Sequence, residues 1–214
     1  MSNLKIHFLR HGQTELSKQN LFCGSGMNPS LTEHGFQMAE SFSKHYQSTS
    51  WQAIYASPLL RAVQTATCLS EKINIELTIR DGLQEINYGE WEGKSVEEVE
   101  KNFHLAHAQW KQDPAAYAPT QGENAHQIKH RAIQVIQEIQ SAYPQGNVLV
   151  VSHKATIRVA LCALLGIDIS QFRFRLDCPV CSLSVVEFTH TGPMLRLFAD
   201  RSHLTKELRE LPGT

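Results

Sequence analysis

The chain lacks an excess of charge of either sign: 20 lysines and arginines face 21 aspartates and glutamates, a formal net charge of −1. That excludes a general nucleic-acid or membrane-surface binder, which needs a basic face, but leaves room for a local basic pocket. Long apolar runs are also missing; none in the 214 residues approaches the length of a membrane span. No charged-then-apolar leader precedes the first strand pattern. Cysteines are few and odd in number, at 23, 68, 162, 178 and 181, which reads as reduced thiols in a cytoplasmic protein rather than a disulfide framework. Cys178-Pro179-Val180-Cys181 has half-zinc-site spacing, but a closed site needs two more ligands, so the pair is read as small residues entering a strand. Repeats and low-complexity segments are absent.

What is present is ordinary globular composition, 42% hydrophobic and 19% charged, in a length suited to one domain over 1–214 with a small insertion. Pattern and punctuation predict strands at 5–9, 53–56, 76–79, 148–151, 183–188 and 195–199. Helices are expected at 32–46, 59–72, 95–102, 123–142 and 155–165, with a Thr32 cap, a Ser95/Glu98 capping box and glycine stops at 146 and 166. The alternation of strands and helices predicts an α/β fold with a largely parallel sheet covered on both faces. The last two strands, joined by Thr189-His190-Thr191-Gly192, are expected to form a hairpin, an exposed pair that could support a homodimer. Residues 103–121 break the alternation and read, with 95–102, as a helical insertion or lid. The charged tail 201–214 is expected to be only partly ordered.

Three strand-end clusters carry the chemistry: Arg10-His11, Ser57-Pro58-Leu59-Leu60-Arg61 and Ser152-His153, with the acidic loop Leu83–Gly93 between the second and third. Ligands bind at the carboxyl ends of strands in open α/β sheets. Arginine offers a rigid fork for phosphate oxygens, and neutral histidine is a nucleophile near pH 7. Two arginines, two histidines and the carboxylate of Glu85 at one sheet edge is what phosphoryl transfer requires. Other histidines are read as solvated helix faces: His104 with His107, and His126 with His130.

The motifs resemble those of the histidine phosphatase, or phosphoglycerate mutase-like, superfamily. They are Arg10-His11-Gly12 with Thr14-Glu15, Ser57-Pro58-Leu59 with Arg61, Thr65 and Ala66, the Leu83–Gly93 loop, Gly122-Glu123 and Ser152-His153, in family order. The resemblance implies a three-layer α/β/α sandwich around a doubly wound, mostly parallel sheet with a small helical insertion. It implies a metal-independent phosphatase without cofactor, in which His11 becomes phosphohistidine, Glu85 serves as proton donor and then base, and Arg10, Arg61 and His153 clamp the phosphoryl oxygens. Such roles call for a raised Glu85 pKa, a neutral His11 and a cationic His153. The candidate substrate-binding residues are Gln13, Ser17, Cys23, Gly24, Lys154 and His203.

Ser17 stands where many members carry asparagine, Cys23-Gly24 closes a loop that elsewhere carries another arginine, and Lys154 replaces the glycine after the second histidine. Lys154 is read as a contact to a substrate carboxylate, and His203 as a tail histidine brought to the substrate, as in the similar phosphoserine phosphatases. Ile86 follows Glu85 where mutases carry arginine, which favours water as acceptor. The expected partner is a small phosphorylated metabolite, phosphoserine first. The rivals are an α-ribazole phosphate or sugar phosphate phosphatase, a phosphoglycerate mutase, and a catalytically silent regulatory module.

Overall fold

The structure, a computed structural model, describes residues 3–213. Six strands, β1 (Leu4–Arg10), β2 (Trp51–Ala56), β3 (Leu77–Ile79), β4 (Gly146–Ser152), β5 (Leu183–Thr189) and β6 (Gly192–Asp200), form one sheet in the order β3-β2-β4-β1-β5-β6. The first four in that order run parallel; β5 lies antiparallel to β1, and β5 and β6 form the expected hairpin. Nine helices accompany them among the described residues: α1 (Glu15–Lys18), α2 (Glu33–Tyr46), α3 (Leu60–Ile73), α4 (Val96–Asn102), α5 (His104–Gln112), α6 (Ala125–Ala142), α7 (Lys154–Leu165), α8 (Phe172–Arg175) and α9 (Lys206–Glu210).

Strand side chains alternate between two cores, which makes three layers. Ile6, Phe8, Tyr55, Val148 and Val150 pack with the apolar stripes of α6 and α7. Leu9, Ile54, Leu149, Val151 and Leu183 pack on the other face with α2 and α3. The period of two along each strand decides which core a residue joins. Boundaries follow local capping. Asn124 and Gln127 form a capping box, so α6 starts two residues later than the hydrophobic pattern predicts. Asn74 closes α3 in the left-handed conformation at φ 55°. The insertion folds as α4 and α5 around a small third core of Trp91, Val99 and Trp110. His107, expected in solvent, is buried there with its ring 5.6 Å from that of Trp91.

The charged tail is a correction as well. It forms α9, capped by the Thr205 hydroxyl, and buries Leu204 and Leu208 against the α2/α3 core. The apolar positions in 201–213 bury enough surface to hold the segment down despite its charge.

The same packing settles His203. Expected at the substrate, it lies buried against α2 instead, its ring 5.3 Å from that of Phe42 and 5.9 Å from that of Tyr46. Burial lowers its pKa to about 4. His7, wedged edge-on against Trp51 and bonded to Asn147, is lowered to about 4 in the same way. Both stay neutral in the folded chain while the unfolded chain takes up protons near pH 6.5. Stability is therefore expected to fall as pH drops from about 6.5 towards 4, by about 2 kcal/mol for each histidine at pH 5. Urea midpoints at pH 7, 6 and 5 check this; a midpoint constant over that range would contradict it.

Candidate active site

The sheet order brings distant segments side by side. In the run β2-β4-β1 the parallel strands end at Ala56, Ser152 and Arg10, and the residues that follow them meet at one edge. Backbone bonds continue the ladder past the strands: the His11 N–H donates to the Ser152 carbonyl at 3.0 Å, and the Ser57 N–H to the Val151 carbonyl at 3.0 Å. His11 and His153 rings consequently stand 5.1 Å apart. Around them Arg10, His11, Arg61 and Glu85 line a cavity of about 150 Å³, sized for a metabolite.

His11 is held through its Nδ1, which lies 2.7 Å from the Gly12 carbonyl oxygen. A carbonyl can only accept, so Nδ1 carries the proton and Nε2 keeps its lone pair. Gly12 must be glycine here, because a Cβ would meet the Gly35 carbonyl oxygen at 2.5 Å. The Gly12 N–H donates in turn to the Thr65 hydroxyl at 3.1 Å, and that hydroxyl donates to the Arg61 carbonyl at 2.7 Å. The motif threonine thus ties the nucleophile segment to α3. Burial, then Arg61 and Arg10, pushes the His11 pKa well below its usual value. The same causes, in the same order of burial and then Arg61, push His153 down too. The expectation that the two histidines separate, one neutral and one cationic, is not met, because both are lowered. A cationic His153 would need the negative charge of a bound phosphate to raise it. His153 is wholly buried beside His11, its Nε2 2.7 Å from the Ser57 hydroxyl.

Backbone carbonyls anchor both arginines. Arg10 donates to the Cys178 carbonyl at 2.7 Å, while Arg61 donates to the carbonyls of Met27 at 2.9 Å and Gly24 at 3.0 Å. Cys178 and Cys181 are free thiols, both buried, and the Cys178 segment acts as an Arg10 clasp.

Glu85 sits over the start of α7. Its carboxylate accepts from the N–H groups of Ile86 (2.9 Å), Ala155 (3.2 Å) and Thr156 (3.3 Å). The last two are orphan donors at the N-terminus of α7, where a carboxylate is favoured. Arg131 holds the loop from behind, donating to the carbonyls of Gly82, Gln84 and Glu85 and making a two-pronged pair with Glu123. That is the place of the Gly122-Glu123 motif: it fixes the arginine that fixes the carboxyl loop.

Of the expected substrate-binding residues, Ser17, Cys23 and Lys154 line the cavity. Ser17 is engaged in the α1 capping box with Thr14. Cys23 is raised to about 11 by burial. Gln13, Gly24 and His203 do not line it, and each has a structural engagement. Gln13 donates to the Pro212 carbonyl at 2.6 Å and accepts from the Thr32 hydroxyl at 2.8 Å, tying the nucleophile loop to the tail and to α2. Gly24 gives its N–H to Glu92 and its carbonyl to Arg61. Several lining residues are ones that sequence reasoning passes over: Tyr88, Trp110, Arg158 and Arg173. Arg158 has a signal, since it lies four positions after Lys154 on one helix and so shares its face. Trp110 and Arg173 have none, because their arrival depends on how the insertion and α8 pack.

Comparison with known proteins agrees with this geometry. Residues 6–201 match the family described as the histidine phosphatase superfamily (branch 1). The chain is 30% identical over 183 residues to phosphoserine phosphatase 1 of Hydrogenobacter thermophilus, covering 86% of each. It is 25% identical over 175 residues to the adenosylcobalamin/alpha-ribazole phosphatase of Escherichia coli, covering 81% of this chain and 86% of that one. Among solved structures, YhfR of Bacillus stearothermophilus superposes with a TM-score of 0.87 at 26% identity, over 94% of this chain and 98% of that one.

Proposed function

The chain belongs to the histidine phosphatase superfamily, and from that premise we propose that it hydrolyses a small phosphomonoester, phosphoserine foremost, through a phosphohistidine formed on His11. The observation that carries this reading is the Nδ1–H of His11 held on the Gly12 carbonyl, which leaves Nε2 a lone pair beside Arg10 and Arg61. Nε2 attacks phosphorus and the ester oxygen leaves with a proton from Glu85. Water then attacks the phosphohistidine, giving a proton back to the Glu85 carboxylate and freeing His11. The two guanidinium groups, with His153 charged by the bound phosphate, offset the charge on the non-transferring oxygens.

The phosphoserine phosphatase relative supports the choice of substrate, and the alpha-ribazole phosphatase relative supplies the second reading. The test is a panel of phosphomonoesters assayed with chelator present. Phosphoserine is expected to exceed α-ribazole phosphate and sugar phosphates by about tenfold or more in kcat/KM. Equal rates across the panel would overturn phosphoserine. A loss of rate on chelation would overturn the metal-free mechanism, and inertness towards an aryl phosphate would overturn the phosphatase.

A further inference from the structure

The cavity has a second charged end. Lys154 and Arg158 lie one turn apart on α7, and Arg173 arrives from α8 with its guanidinium 3.7 Å above the Trp110 ring. All three line the same cavity as His11, and none of them is in an ion pair among the described residues. Arg158 donates one NH2 group to the Arg173 carbonyl and lies 5.8 Å from the Phe172 ring, but its buried Nε has no hydrogen-bond partner. The same holds for one terminal nitrogen of Arg173. The acid lining the cavity is Glu85, bound to the start of α7; the exposed Asp177 acts on Lys154 and Arg158 only at a distance. Burial, then repulsion from Arg10 and Arg158, lowers Lys154 to about 8, and burial depresses Arg158. Gathering half-buried cations without a counter-ion costs stability, which a bound anion recovers.

We infer that Lys154, Arg158 and Arg173 form a subsite for a second anionic group, a carboxylate or phosphate carried by the same phosphomonoester. The inference rests on the phosphatase reading and narrows its substrate class. On this reading the subsite takes the carboxylate of phosphoserine while its ammonium meets no partner, since among the described residues Glu85 is the one lining acid and it is bound to the start of α7. A phosphorylated hydroxy acid without an amine should therefore bind at least as well as phosphoserine.

Binding tests this apart from turnover. In a His11→Ala background, with His11→Asn as a second, calorimetry would compare 3-phosphoglycerate, a sugar bisphosphate, glycerol 3-phosphate and phosphoethanolamine. The doubly anionic ligands are expected to bind at least about tenfold more tightly than glycerol 3-phosphate, and phosphoethanolamine most weakly. Adding Arg158→Gln, or Arg173→Gln should the first variant not fold, is expected to remove that preference. The bisphosphate arm separates a phosphate-selective site from a carboxylate-selective one. Equal affinities for acid and neutral ligands, or a preference unmoved by either substitution, would overturn the subsite even in an active phosphatase. A preference retained in a chain with no turnover would uphold the subsite and refute the phosphatase.

Discussion

Replacing His11 by alanine is expected to lower kcat by at least about 10⁴-fold and to abolish any acid-labile phosphoenzyme, because no neighbouring group can take over the attack. The candidates are few. Cys23 lines the cavity, but burial raises its thiol to about 11, so almost no thiolate exists at neutral pH. Lys154, lowered to about 8, is still mostly charged at pH 7. His153 is wholly buried with its Nε2 engaged at the Ser57 hydroxyl. Rapid-quench labelling with phosphorus-32 substrate checks the result. Labelled protein in the variant would show that another residue carries the phosphoryl group.

Glu85→Gln is expected to produce the second large effect, and one that depends on the leaving group. The substitution preserves shape but removes the transferable proton, so an alkyl phosphate such as phosphoserine should lose 10²- to 10⁴-fold in kcat, on the order seen for general acids. An aryl phosphate, whose leaving oxygen needs little protonation, should lose far less at the phosphorylation step. The amide nitrogen of glutamine would also face a backbone donor in either orientation: the Ala155 N–H in the place of Oε2, or the Ile86 and Thr156 N–H groups in the place of Oε1. That adds a loss common to all substrates, so the diagnostic is the slope of rate against leaving-group pKa. A slope unchanged from the parent would show that Glu85 does not donate the proton.

The parts of this molecule legible in its sequence are those where local pattern and global fold agree. The alternation of strands with helices predicts a parallel sheet covered on both faces, and strand ends carrying Arg-His and Ser-His foreshadow a common edge. The antiparallel β5 beside β1 has no local signal, since an apolar run does not declare its direction. His203 was misplaced because a tail's path is set by tertiary burial, here of Leu204 and Leu208, which charge content conceals. Gln13 and Gly24 stand beside true cavity residues in sequence but point their polar groups to Pro212 and Glu92. Arg173 lies 162 residues from His11 along the chain, and only the packing of α8 brings both to one cavity.

The position of β1 between β4 and β5 has a consequence for biosynthesis. The strand that leads into His11 pairs with residues 146–152 on one edge and 183–189 on the other. It therefore leaves the ribosome well before either neighbour exists. A buried, apolar strand with two open edges is the kind of segment that aggregates or recruits chaperones while it waits. The nascent chain acquires its reactive histidine early and the means to use it late.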